Sequence, residues 1–148
     1  MTVAFREARR EDVPAIVALL TDDSLGATRE GGGMAPYLDA FDAMRAEAGN
    51  TLIVGVRDDR IVATFQLTLI TGLSLRAARR AQVESVRVAA DLRGEGVGAL
   101  LMAEAEARAR AAGCSLIQLT TNRTRVDAHR FYDRLGYEPS HFGYKKPL

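Results

Sequence analysis

A chain of 148 residues with a formal net charge of +1 has room for one hydrophobic core and lacks the charge excess that would hold a polyanion or an anionic bilayer. At this length about 68 to 70 per cent of the unfolded surface can be buried, and 47% hydrophobic with 26% charged residues is ordinary for a soluble domain. No nucleic-acid or membrane partner is expected.

Cys114 stands alone, which excludes an internal disulfide and a multi-cysteine metal centre, and His129 and His141 are too few and too distant for a metal motif. No metal is expected. Residues 1–10 lack the apolar stretch of a secretion signal, and no apolar run approaches the roughly 18 residues of a membrane span. The expectation is one domain over residues 1–148, in the cytoplasm.

Residues 3–8 have strand character, and a helix follows in which Val13, Ile16, Val17, Leu19 and Leu20 form one apolar face. Pro14 suits its first turn, where the missing N–H is no loss, and Glu11 and Asp12 suit its positive end. Residues 21–35 are polar and hold Gly31, Gly32 and Gly33, so a loop is expected. A second helix is expected over 36–48, then β-branched strands over 51–57 and 61–70 with Asp58, Asp59 and Arg60 as a hairpin turn.

Residues 83–113 read as a strand, a glycine turn and a long helix. Val83, Val86 and Val88 give the strand, and residues 99–112 are strong helix formers ended by Gly113. Between them runs Arg93-Gly94-Glu95-Gly96-Val97-Gly98. Glycines at a helix entry leave the first free N–H groups uncovered, so an anion such as a phosphate can approach the positive end of the dipole. The alternative is a ligandless turn. A Walker loop needs a Lys after the glycines, and the dinucleotide fingerprint needs G-x-G-x-x-G; both fail here. A strand over 114–121, a helix over 124–135 and short strands near Tyr137 and over 142–146 complete the chain.

Arg93, Gly96 and Gly98 fit R/Q-x-x-G-x-G/A, and Ala128, Phe131, Tyr132, Leu135, Gly136 and Tyr137 fit A-x-x-F-Y-x-x-L-G-[FY]. Together these resemble the two marks of the GCN5-related N-acetyltransferase (GNAT) family, whose element order the chain matches from end to end. The resemblance implies an α/β fold with a mixed sheet of six to seven strands, splayed at the cofactor site, and about four helices. It implies acetyl-coenzyme A as acyl donor and a small-molecule primary amine as acceptor, attacking directly in a ternary complex.

By the same resemblance, Arg93, Gly94, Glu95, Gly96, Val97, Gly98 and Ala99 hold the pyrophosphate. Backbone of Val86 and Val88 pairs with the pantetheine arm, the Val86 N–H lies near the acetyl carbonyl, and Asn122 contacts pantetheine. Asn122 reads equally as a turn or cap residue. Tyr132 is implied as the acid that protonates the departing thiolate; its other reading is a core aromatic beside Phe131. Arg123, Arg125 or Arg130 could reach the 3′-phosphate. Dimerisation, common in the family, would use an edge strand over 142–146.

An alkyl amine of pKa about 10.4 is mostly protonated at pH 7, so a base helps. Glu84 is the candidate base, two residues before Val86 and on its face; the alternative is an ion pair with a nearby arginine. Residues 21–35 and 71–81 would wall the acceptor site. Arg76, Arg79 and Arg80 favour an acceptor bearing a carboxylate, whereas Asp22, Asp23 and Glu30 would suit a polycation. Two further functions compete: a non-catalytic acyl-coenzyme A sensor, and acetylation of a protein N-terminus or lysine.

Overall fold

The computed structural model describes residues 2–23 and 25–148. The chain divides into two compact units, Met1–Gln118 and Leu119–Leu148.

The strands β1 (Ala4–Glu7), β2 (Asn50–Arg57), β3 (Arg60–Thr71), β4 (Arg79–Val88) and β5 (Leu116–Leu119), which but for Leu119 belong to the first unit, lie side by side in that order. The pairs from β1 to β4 are antiparallel. Ser115 N–H donates to Arg79 O and Gln118 Nε2 donates to Gln82 Oε1, each at 2.9 Å. Both contacts join residues 36 positions apart, so β5 advances alongside β4 and the sheet is mixed. The β2–β3 turn is tight: Asp58 and Asp59 take φ of 51° and 60°, the positive values that a two-residue primed turn demands.

Two layers of helix cover this sheet. α1 (Val13–Thr21) and α3 (Ala35–Ala46) share a core of Val13, Val17 and Phe41 with Leu52 of β2 packed against it. α5 (Val97–Ala111) packs on β3 and β4, burying Val97, Leu101, Met102, Ala105 and Ala109. Strand alternation puts Phe65, Leu67 and Val83 on one face and Leu52, Thr64, Gln66 and Glu84 on the other. Each fully buried Leu or Met contributes about 1.5–3 kcal/mol.

α5 ends as its sequence requires. Gly113 takes φ +79°, its N–H donates to Arg110 O at 3.0 Å, and Cys114 N–H donates to Ala109 O at 2.9 Å, the paired bonds of a Schellman motif. Arg79 Nη1 adds a hydrogen bond to Ala112 O at 2.6 Å, a cation at the negative end of the helix.

Several boundaries differ from the sequence expectations. Two single turns are additional: α2 (Gly26–Arg29) falls within the segment 21–35 expected to be a loop, and α4 (Ser74–Ala77) within the connection 71–81. α4 is a left-handed turn, with Leu75 and Arg76 at φ 54° and 59°, and it reverses β3 into β4. Among the described residues the sheet has five strands rather than six to seven. Among the described residues none from Gly136 onward joins a strand; Pro139, Gly143 and Pro147 interrupt that tail, and the edge strand expected over 142–146 is not formed.

The second unit contains α6 (Val126–Arg134), closed by Gly136 at φ +89°. Gly136 N–H donates to Asp133 O at 3.1 Å and Tyr137 N–H to Tyr132 O at 3.0 Å, so the cap of α5 is repeated. Among the described residues no helix is long and apolar enough to cross a membrane.

Candidate active site

The glycine turn connects β4 to α5 through a short 3₁₀ turn, Ala90–Leu92. Gly94 and Gly96 take φ of +85° and +83°, and a side chain at either position would meet no atom within 4 Å. Packing therefore does not demand glycine there; backbone conformation does, and the space above the turn stays open. The first helical bond of α5 is Leu100 N–H to Gly96 O at 3.2 Å. The N–H groups of Val97, Gly98 and Ala99 consequently have no partner within the helix and point out of its positive end. A diphosphate fits this arrangement of donors, bare surface and dipole.

Two carboxylates border the turn, and each is met by an arginine from the β2–β3 hairpin. Arg57 Nη1 lies 2.9 Å from Glu95 Oε2. Arg60 binds Asp91 with both terminal nitrogens, at 2.7 and 2.9 Å. The Arg60 guanidinium holds the Asp91 carboxyl below its ordinary range, chiefly through these hydrogen bonds. Charge that would repel a bound phosphate is thus matched on site. The sequence reading missed both arginines, because pairings 38 and 31 positions apart leave no local signal.

Arg93 is engaged elsewhere: its Nη2 donates to Asp22 O at 3.2 Å. Arg87 lies 3.2 Å from Asp23 through Nε, and its Nη1 donates to Val86 O at 2.9 Å. Asp23 in turn accepts the Gly26 N–H. The segment after α1 is therefore tied to the glycine turn by one arginine and to the end of β4 by another.

β4 carries a bulge. Glu84 pairs with Gln66 and Arg87 with Thr64, so Ser85 and Val86 both stand opposite Phe65, and Ser85 takes φ +54°. The contacts of Ser115 and Gln118 with β4 fall at Arg79 and Gln82, ahead of the bulge; Val86 lies in it and Val88 beyond it. Glu84 is exposed and, among the described residues, has no ion pair. The alternative of an arginine partner for Glu84 is not realised. Gln66 Nε2 is held by Asn50 Oδ1 at 2.8 Å.

Arg76, Arg79 and Arg80 do not gather into a cationic wall. Arg76 sits in the exposed left-handed turn, Arg79 caps α5, and Arg80 Nη2 donates to Ser74 Oγ at 3.1 Å. Thr71 to Ala78 is a strand end and a tip, with Leu73 and Leu75 exposed.

In the second unit the Tyr132 ring stacks on Phe131 with centroids 5.1 Å apart and meets Tyr137 edge-on at 5.8 Å. Asn122 Oδ1 accepts from the Thr124 N–H at 3.0 Å and from its hydroxyl at 2.8 Å, closing the turn before α6. His129 Nε2 lies 3.0 Å from Asn122 O, and Arg130 is 3.9 Å from Asp127. Among the described residues no three His, Cys, Asp or Glu side chains group as a metal site would require.

A family model described as "Acetyltransferase (GNAT) family" matches residues 13–137. An aminoalkylphosphonate N-acetyltransferase of Salmonella typhimurium is 32% identical over 143 residues, covering 97% of this chain and 90% of the relative. The crystal structure of a transcriptional regulator from Bacillus halodurans C-125 superposes with a TM-score of 0.95 at 39% identity, covering 99% of this chain and all of that one. Glucosamine-6-phosphate N-acetyltransferase from Arabidopsis thaliana, at 18% identity and a TM-score of 0.82 over 100% of this chain and 99% of its own, shares the fold. With its glycine turn and its match over most of its length, the chain belongs to the GNAT family of acetyltransferases.

Proposed function

We propose that the protein transfers acetyl from acetyl-coenzyme A to the primary amine of a small molecule, by direct attack in a ternary complex. The observation that carries this reading is the open turn at Gly94 and Gly96 leading into α5, with its outward N–H groups and paired carboxylates. Bound there, the donor supplies an activated thioester; the chain's own residues do the rest.

Glu84 takes the ammonium proton, directly or through one water, so that the nitrogen can attack. As the N–C bond forms, the Val86 N–H donates to the carbonyl oxygen, where negative charge grows. Tyr132 gives its phenolic proton to sulfur as the C–S bond breaks, leaving amide and free thiol. The new C–N nitrogen sheds its second proton as the intermediate collapses, which restores the Tyr132 phenol, and Glu84 passes the first proton to solvent, so that protons and charge balance with no covalent enzyme intermediate. Asn122 and the backbone of Val88 are assigned to the pantetheine arm.

A second reading rests on the Bacillus halodurans neighbour, which is named as a transcriptional regulator: an acyl-coenzyme A sensor that has lost turnover. Tyr132→Phe separates the two. Under the catalytic reading it lowers kcat by about 10²- to 10⁴-fold while coenzyme A affinity by calorimetry is kept. Wild-type protein that binds coenzyme A yet acetylates nothing in an amine panel, aminoalkylphosphonates included, would establish the sensor instead. Activity on peptides but not on free amines would point to a protein acceptor.

A further inference from the structure

Between α1, α3 and the sheet lies a cavity of about 140 Å³ that the steps above leave unused. Its walls are apolar, with Ile16 and Leu20 from α1, Phe41 and Met44 from α3, and Leu52 from β2; Thr64, Gln66 and Ser85 form its floor. We propose that this cavity seats the apolar body of the acceptor, so that the preferred substrate is a primary amine carrying an unbranched hydrocarbon segment of about four to five heavy atoms. The length follows from volume, at about 30 Å³ for each water-sized group. The proposal rests on the acetyl-transfer reading and adds the substrate's class.

Three observations point to a hydrocarbon occupant. First, three of the polar lining residues are already engaged: Thr64 Oγ1 donates to Ile53 O at 3.0 Å, Gln66 Nε2 donates to Asn50 Oδ1 at 2.8 Å, and Tyr37 Oη donates to Glu30 Oε2 at 2.6 Å while accepting the Gly31 N–H at 3.0 Å. A charged head pushed inward would lose its water and meet no group of opposite charge among the lining residues. Second, no lining residue is a cation, and Arg79, Arg80 and Arg87 are bound at Ala112, Ser74 and Asp23 respectively. An anionic group therefore has no counter-charge inside. Third, the floor adjoins the candidate base, since Ser85 follows Glu84 in the bulge and Gln66 is its cross-strand partner. An amine whose tail fills the cavity presents its nitrogen beside Ser85 and Gln66, the neighbours of Glu84, whereas the other nearby carboxylate, Glu30, is already held by Tyr37.

The test is steady-state acetyl transfer to n-alkylamines from ethylamine to octylamine, in wild type and in Ala40→Leu, which adds bulk where Ala40 of α3 lines the cavity. In wild type kcat/KM should climb about three- to fourfold per added methylene, peak at four to five carbons, and fall beyond. Ala40→Leu should lower kcat/KM for pentylamine at least tenfold and move the peak to shorter chains, while coenzyme A binding by calorimetry is unchanged and so reports an intact fold. A flat chain-length profile with good turnover, or the same peak in both proteins, overturns the cavity assignment alone. No turnover with any amine, despite coenzyme A binding, overturns the acetyl-transfer reading and the assignment with it.

Discussion

Gly96 adopts a φ of +83° at the N-cap of α5, a conformation that costs a residue with a β-carbon about 1–2 kcal/mol. That methyl group would also stand in the open space over the turn. Gly96→Ala is expected to weaken coenzyme A binding by about tenfold or more in a calorimetric titration, with the circular dichroism spectrum unchanged. Asp12 illustrates a different residue-scale effect. Its carboxylate receives Arg6 through two hydrogen bonds, at 2.7 and 3.1 Å, and the Arg9 N–H at 2.7 Å. The Arg6 hydrogen bonds, working against the cost of burial, hold the Asp12 carboxyl below its ordinary range. A carboxyl depressed by folding stabilises the fold above its unfolded pKa of about 3.9, and that gain is lost as pH falls through the lower folded value. Asp12→Asn should therefore cost about 1–2 kcal/mol near pH 6, discounted because Arg6 is a third exposed. Denaturant titrations from pH 2 to 7 should show the gap between the two proteins closing below about pH 4.

At the scale of elements, the β2–β3 hairpin supports the glycine turn without belonging to it. Arg57 and Arg60 flank its two-residue turn and reach Glu95 and Asp91. Removing Arg57 alone leaves Glu95 as an unmatched negative charge next to the proposed diphosphate site. Arg57→Ala is expected to raise the coenzyme A Kd about fivefold at low salt, less at 0.5 M salt, and Arg57→Ala with Glu95→Gln should recover most of the loss. If the double variant binds as weakly as the single one, the arginine acts by some other route. Elements were legible in the sequence where local chemistry agreed with tertiary context. The run of helix formers before Gly113 gave α5 to within two residues, since propensity and cap pointed the same way. β4 begins at Arg79, earlier than its valines imply, because cross-strand pairing with Thr71 and Ile70 keeps Arg79 and Arg80 in the ladder despite their charge. Aromatic Tyr137, Phe142 and Tyr144 imitate strand composition, yet Pro139 and Pro147 remove donors and no ladder forms there.

Across the whole molecule, the ligand and the fold are linked by mass action. Coenzyme A at one hundred times its Kd should add about 2.7 kcal/mol to the stability of the wild type and raise Tm by about 5–10 °C. In a thermal-shift assay at the same concentration, Gly96→Ala should show a clearly smaller rise. The glycine turn, the bulge strand and the helix after it could be read from sequence as one strand-turn-helix unit, because they are contiguous. The arginine partners of the turn, the tie from Arg87 to Asp23 and the hydrocarbon cavity could not, because each is assembled from segments far apart in the chain.

The helix behind the turn is fastened at both extremities. At one end β4 leads into it through the 3₁₀ turn and the glycines; at the other its final carbonyls are gripped by Gly113, Cys114 and the Arg79 guanidinium, which belongs to that same strand. A rod held top and bottom by a single strand cannot creep along its axis. The interval from the amide cluster at Val97 to the kink at Ser85 therefore behaves as a fixed gauge. A donor whose flexible arm is a few atoms too short or too long would be anchored by its phosphates and still present its carbonyl out of register with the kink.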